Sequence, residues 1–138
     1  MSDKPIVYFL CNSNGGKSQM AEAIMRLRAD EAGRDIEVLS AGVKPAATIN
    51  AGSAASLSEI GADMTCGTPT AIDGDVMRTA DHVIVVGGAN IPAYDGMKTD
   101  VERWEVDEPS LRGIEGEERM NLIRDEIDGR VKKLLDEI

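Results

Sequence analysis

The residues with chemistry to offer stand together in Cys11-Asn12-Ser13-Asn14-Gly15-Gly16-Lys17-Ser18, between the apolar run IVYFL and the helical pattern QMAEAIMRLR. The segment ends in the Gly-Lys-Ser of a nucleotide-binding loop, but Cys11 occupies the place of that loop's first glycine. A second apolar strand ending in an aspartate, to hold magnesium, is also missing, because HVIVV runs into Gly87-Gly88. The nucleotide reading therefore fails at two points.

A thiol explains more of the segment. A cysteine that closes a buried strand and precedes a glycine-rich turn into a helix sits where backbone N–H groups and the helix dipole converge, a field that favours thiolate over thiol. The same N–H groups bind a tetrahedral oxyanion. Cys11 is then the nucleophile, and Asn12, Ser13, Asn14, Gly15 and Gly16 line the anion cradle. Gly15 and Gly16 permit positive φ and close backbone approach, while Asn14 tolerates the left-handed region and can brace the loop with its amide. Ser18 either caps the helix or donates to the thiolate, and Lys17 brings the one full positive charge. Read as a mere small hydrophobe, Cys11 would leave NSNGGKS without a purpose. Cys66, in MTCGTP, reads as an uncommitted thiol, His82 as a structural or surface residue, and Trp104 as core or pocket wall.

The surrounding pattern must position this segment. Ile6 to Leu10 is a continuous apolar run, the mark of a strand buried on both faces. From Ser18 the period turns helical, with Met20, Ala23, Ile24 and Leu27 on one stripe, until Gly33. Ile36 to Leu39 reads as a second strand with Ser40-Ala41-Gly42 as its turn, Thr48 to Ile60 as a helix, and Ile72 to Met77 as a shorter one. His82 to Val86 is the clearest β-branched strand, and Val101 to Val106 a weaker one. Met120, Ile123, Ile127, Val131, Leu134 and Ile138 form the apolar stripe of a long C-terminal helix whose polar face carries Arg124, Asp128 and Lys132. Strands alternating with helices give an α/β protein, a parallel sheet between helices with right-handed crossovers. Ligands in such sheets sit at the carboxyl ends of the strands, where CNSNGGKS falls.

Composition narrows the field. The 138 residues, 42% of them apolar, fit one domain, residues 1–138. No apolar run is long enough to span a membrane, and MSDKP is no signal peptide, so a cytoplasmic protein is expected. Two cysteines and one histidine give no metal site. A net charge of -10 argues against nucleic acid or an anionic membrane as partner, and requires any anion site to provide its own local positive potential.

At this point the chain resembles the low-molecular-weight protein tyrosine phosphatases, and among them the arsenate reductases that share their fold. That family's signature is a cysteine, five residues, an arginine, then Ser or Thr, between the first strand and first helix. The resemblance continues through SQMAEAI, SAG at 40 to 42, ADHVIVVGG at 80 to 88, WEVDEP from Trp104 to Pro109, and RDEIDGRVKKLL, nearly the whole chain in order. It implies a single three-layer α/β/α domain with a four-stranded parallel sheet in the order 2-1-3-4. It also implies Cys11 as nucleophile on phosphate or arsenate, and an acid from the late loop that protonates the leaving oxygen.

The chain departs from that pattern in four places. Lys17 replaces the arginine, so a bidentate grip on two oxygens becomes a point contact. The acid before proline is Glu108, with Asp107 one residue earlier, and Glu108 is the narrow favourite. Ser110 and Leu111 stand where the phosphatases wall a tyrosyl slot with aromatics, and with 3% aromatics overall the chain is ill equipped to stack a ring. Gly87-Gly88 stands where the thioredoxin-coupled reductases need a further cysteine. The resemblance thus implies an arsenate reductase or arsenate–thiol transferase that uses an external thiol of the mycothiol kind and a glutaredoxin-type partner, with no tightly bound cofactor. The alternatives are a phosphomonoester phosphatase and a non-catalytic oxyanion-binding protein of the same fold.

Overall fold

The structure, a computed structural model, describes residues 4–138 apart from 66, 93 and 107. Cys66 and Asp107, both singled out above, lie outside the described residues.

Four strands, β1 (Ile6–Cys11), β2 (Glu37–Gly42), β3 (His82–Val86) and β4 (Val101–Trp104), form one parallel sheet in the order β2-β1-β3-β4. The expected 2-1-3-4 arrangement is present. β1 lies in the middle, and its side chains alternate between two cores: Val7 and Phe9 enter one, Tyr8 and Leu10 the other. That double burial is why its sequence is continuously apolar instead of alternating. The larger core lies under α1 (Lys17–Glu31), α2 (Ala51–Ser58) and α4 (Gly116–Glu137), and joins Phe9, Ile24, Leu57, Trp104 and Ile127. The smaller one lies under α3 (Gly74–Thr79), where Met77 packs on Tyr8, Val83 and Val85. Trp104 is core, its ring centroid 5.4 Å from that of Phe9.

Several boundaries differ from the sequence reading. Ser40, Ala41 and Gly42 are strand and not turn, because the end of β1 pairs with them, Cys11 opposite Gly42. α2 begins only at Ala51, since Asn50 is its cap, accepting from Ser53 N at 2.9 Å, and residues 43–50 are committed elsewhere. α3 is shifted to Gly74–Thr79 behind Asp73, whose carboxylate accepts from Asp75 N. A 3-10 turn, Pro109–Arg112, precedes α4, and its start is capped by Glu108. Asp128 is not on a solvated face: it is buried and grips Arg28 of α1 with two bonds of 2.9 Å. No described helix is long and apolar enough to cross a membrane.

Candidate active site

Cys11 ends β1 at the carboxyl edge of the sheet, buried, and the chain turns from it into α1 through residues 12–16. The outer carbonyls of this turn are tied down by the segment that follows β2. Val43 N, Lys44 N, Ala46 N and Asn50 N donate to the carbonyls of Cys11, Asn12, Ser13 and Gly15 in turn. Pro45, which has no N–H to give, falls in the gap of that series. With its carbonyls drawn outward, the turn is left to present N–H groups inward. Asn14 N donates to Cys11 Sγ at 3.2 Å, and α1 follows Gly16 at its N-cap with no side chain capping it, so its first N–H groups remain available to an anion.

The path of the turn depends on three small or permissive residues. Asn14 is left-handed, φ 51°, as anticipated. Of the two freedoms open to Gly15 and Gly16, positive φ is not used, Gly16 having φ −134°, whereas close approach is used at Gly15, where a Cβ would lie 3.0 Å from Thr48 O. Gly42 is needed still more, because a Cβ on it would stand 2.7 Å from Asn14 N. It is the floor on which the turn lies.

Beneath the sulfur is a network of side-chain hydrogen bonds. Asn14 is fully buried, and its Nδ2 donates both to Ser18 Oγ at 2.8 Å and to Ser40 Oγ at 2.9 Å. Its Oδ1 accepts from Gln19 Nε2 and from Thr70 N. Ser40 in turn donates to Glu22 at 2.6 Å. Ser18 Oγ, which accepts from Asn14, lies 2.9 Å from Cys11 Sγ, where it can donate to the sulfur once the thiol proton is gone. Of the two roles considered for Ser18, the structure does not show the first, since no side chain caps α1. Asn14 N and Ser18 Oγ are thus both at hydrogen-bonding distance from the sulfur.

Above the sulfur opens a cavity of about 490 Å³. Cys11, Asn12, Ser13, Gly16 and Lys17 line it as the sequence predicts, whereas Asn14 and Gly15 support it from behind. Its far wall is Val86, Gly87, Gly88 and Ala89 after β3, and Arg119, Met120 and Ile123 of α4. No aromatic residue appears among the described lining residues. Gly87 has φ 102°, and a Cβ there would touch the Lys17 Cδ and Nζ atoms at 3.6 and 3.7 Å, so the lysine lies along a bare backbone. Arg103 of β4 fixes this glycine turn by donating to the carbonyls of Gly87 and Ala89.

Glu108 is placed differently from the expected proton donor. Arg119 grips it from Nε at 2.8 Å and from Nη2 at 2.6 Å, and Ser110 N adds a bond at 3.2 Å. Lys17 Nζ is 3.9 Å from the same Oε1. Arg119's hydrogen bonds outweigh burial and, with Ser110, pull the Glu108 carboxyl down to about 2. It is an anion throughout the neutral range, suited to holding cations and poorly suited to releasing a proton. Arg119 was not foreseen: it stands on the polar side of α4, far from the motif in sequence, and only the packing of α4 against the sheet brings it to Cys11.

The comparisons with known proteins agree with this architecture. Over residues 6–138 the chain matches the family described as low molecular weight phosphotyrosine protein phosphatase. It is 33% identical over 135 residues to an arsenate reductase of Brevibacillus brevis, with 96% of each chain covered. With an arsenate reductase of Bacillus subtilis the identity is 32% over 136 residues, covering 95% of each. Among solved structures it is similar to a thioredoxin-dependent arsenate reductase of Corynebacterium glutamicum, at 36% identity and a TM-score of 0.76; the match takes in 99% of this chain but 62% of that longer one. From the sheet order, the cysteine turn and a match running from Ile6 to the last residue, the chain belongs to the low-molecular-weight phosphotyrosine protein phosphatase family.

Proposed function

We propose that this protein is a thiol-dependent arsenate reductase in which Cys11 is the nucleophile. The observation that carries the reading is the make-up of the cavity over the sulfur, which offers backbone donors and cations to a tetrahedral anion and no ring to sandwich a tyrosyl group. The arsenate reductases among its relatives support it.

In the proposed reaction the Cys11 sulfur attacks arsenic(V), an S–As bond forms, and one As–O bond breaks, the oxygen leaving as water once protonated. Asp107 is the better candidate for that proton, since Arg119 keeps Glu108 ionised. An external thiol of the mycothiol kind then displaces Cys11 at arsenic, which stays at the +5 state. Finally a thiolate of a glutaredoxin-type dithiol attacks the sulfur of that adduct. The electron pair of the S–As bond remains on arsenic, which departs as arsenic(III), and a mixed disulfide is left. Gly87 and Gly88 in the cavity wall support an outside thiol over an internal disulfide relay. We infer a cytoplasmic role in arsenic detoxification, since the proposed reaction draws on a soluble thiol of this kind.

The test is arsenate turnover by the purified protein with three reductant systems, thioredoxin, glutathione–glutaredoxin and mycothiol–mycoredoxin, with p-nitrophenyl phosphate hydrolysis as the control. Turnover is expected with the mycothiol system and is expected to vanish in Cys11→Ser. Undiminished turnover in Cys11→Ser removes the nucleophile from the scheme; thioredoxin-driven turnover removes the external thiol; thiol-free hydrolysis of the phosphate ester as the dominant activity reassigns the protein as a phosphatase.

A further inference from the structure

We propose that Arg119 of α4 binds the oxyanion together with Lys17, taking over the second charged grip that a loop arginine would give, and that Glu108 is the positioning residue that holds both cations at the cavity. This rests on the reading of the Cys11 turn as an oxyanion cradle, and it names the side chains that complete it.

Three observations converge. First, Lys17 alone offers a compact point charge, which cannot engage two oxygens of one tetrahedral anion in a fixed plane as a guanidinium does. Second, Arg119 lines the same cavity as Cys11 and Lys17, and it also borders the adjoining cavity with Asn50 and Met120, which puts it at the mouth between the two. Third, Glu108 takes Arg119 by Nε and Nη2, leaving Nη1 outside that pairing, while Lys17 Nζ stands 3.9 Å from the same carboxylate oxygen. One carboxylate thus gathers two cations at the cavity wall, in a protein of net charge -10. A tether whose only task was to join the 3-10 turn to α4 would have no need to face the cavity.

The experiment measures inorganic phosphate binding by calorimetry in the reduced protein, and arsenate KM and kcat in parallel. Loss of a charge-assisted grip on an anion should weaken phosphate roughly 10- to 100-fold in Arg119→Ala and raise arsenate KM by a similar factor, with kcat changed less. Lys17→Arg should restore phosphate affinity to within a few-fold of the original in the Arg119→Ala background and gain much less where Arg119 is present, a non-additivity that a merely structural Arg119 would not produce. Glu108→Gln, which keeps the shape and removes the charge that gathers the cations, should weaken phosphate several-fold. Arg119→Lys, which retains charge without the fork and is the milder change to folding, should fall between. Unchanged phosphate affinity in Arg119→Ala, or a double variant no tighter than Arg119→Ala alone, overturns the proposal. Phosphate binding that follows this pattern in a protein without arsenate turnover would sustain Arg119 while refuting the reductase reading.

Discussion

Two of the arginine–carboxylate pairs that tie α4 to other elements are bidentate, and they share nearly the same chemistry. Arg28 meets Asp128 and Arg119 meets Glu108, each through two hydrogen bonds of 2.6 to 2.9 Å. Their surroundings differ. The first pair is closed between α1 and α4, with side chains 17% and 13% exposed, and Lys132 and Glu31 complete it. The second stands on the wall of the cavity over Cys11, 26% and 27% exposed, with Lys17 nearby. The contrast teaches that a bidentate ion pair is not in itself a functional sign. What separates a clamp from a binding group is whether a side of the cation remains open to a ligand.

The comparison can be broken most easily at the closed pair. Asp128→Ala strands Arg28 between two helices and should cost on the order of 3 kcal/mol, a fall of roughly 10 °C in Tm by calorimetry. Arsenate turnover below the new melting point should be retained. A neutral Tm would mean that the pair is as dispensable as a surface bridge. At the cavity pair the outcome should invert: Arg119→Ala should lower stability by less than about 1 kcal/mol in the same scan, while losing affinity for anions as described above. A stability loss as large as that of Asp128→Ala would make Arg119 a clamp too.

The smallest effects lie in pH. Glu108 has its folded carboxyl pulled from an ordinary 4.5 to about 2, so its contribution to stability is complete above the ordinary value and disappears as pH falls through about 2. Asp128 behaves likewise: burial alone would raise its carboxyl, but the Arg28 hydrogen bonds and charge prevail and lower it, so its contribution too is lost on the acid side. Acid unfolding of Glu108→Gln should lack part of that limb. The same substitution should leave the basic limb of the arsenate kcat/KM profile where it was, since a group ionised at neutral pH is not the donor titrating there. A basic limb that disappears in Glu108→Gln would return Glu108 to the role of acid.

These two pairs also mark how far the sequence could be read. β1 and β3 were legible because double burial writes an unbroken apolar run, and the Cys11 turn was legible because cysteine, asparagine, glycine, lysine and serine at that spacing have few other uses. The roles of Asn14 and Ser18 followed from local geometry. Arg119, Arg103 and Gly42 were not legible. The first two act through contacts that exist only once α4 and β4 are docked, and a glycine whose purpose is to leave room for a distant backbone looks like any turn glycine. Asp128 was misread for a related reason: at helical spacing a carboxylate marks the wet side, unless a guanidinium from another helix comes to cover it. Glu108 was read by its place before Pro109, which says nothing of the arginine that holds it.

The segment from Val43 to Asn50 fastens the cysteine turn through main-chain bonds alone. Asn50 caps α2 with its side chain and Val43 and Ile49 pack against the cores, but the fastening itself asks nothing of the letters and everything of length and trajectory. Exchanging Val43 or Ala46 for another side chain keeps every one of those bonds, whereas inserting a single residue between Lys44 and Ala46 would slip the series and let the carbonyls of the turn swing toward the sulfur, closing the cradle to anions. Heredity in this stretch is carried by spacing, and a search for matching residues would overlook it.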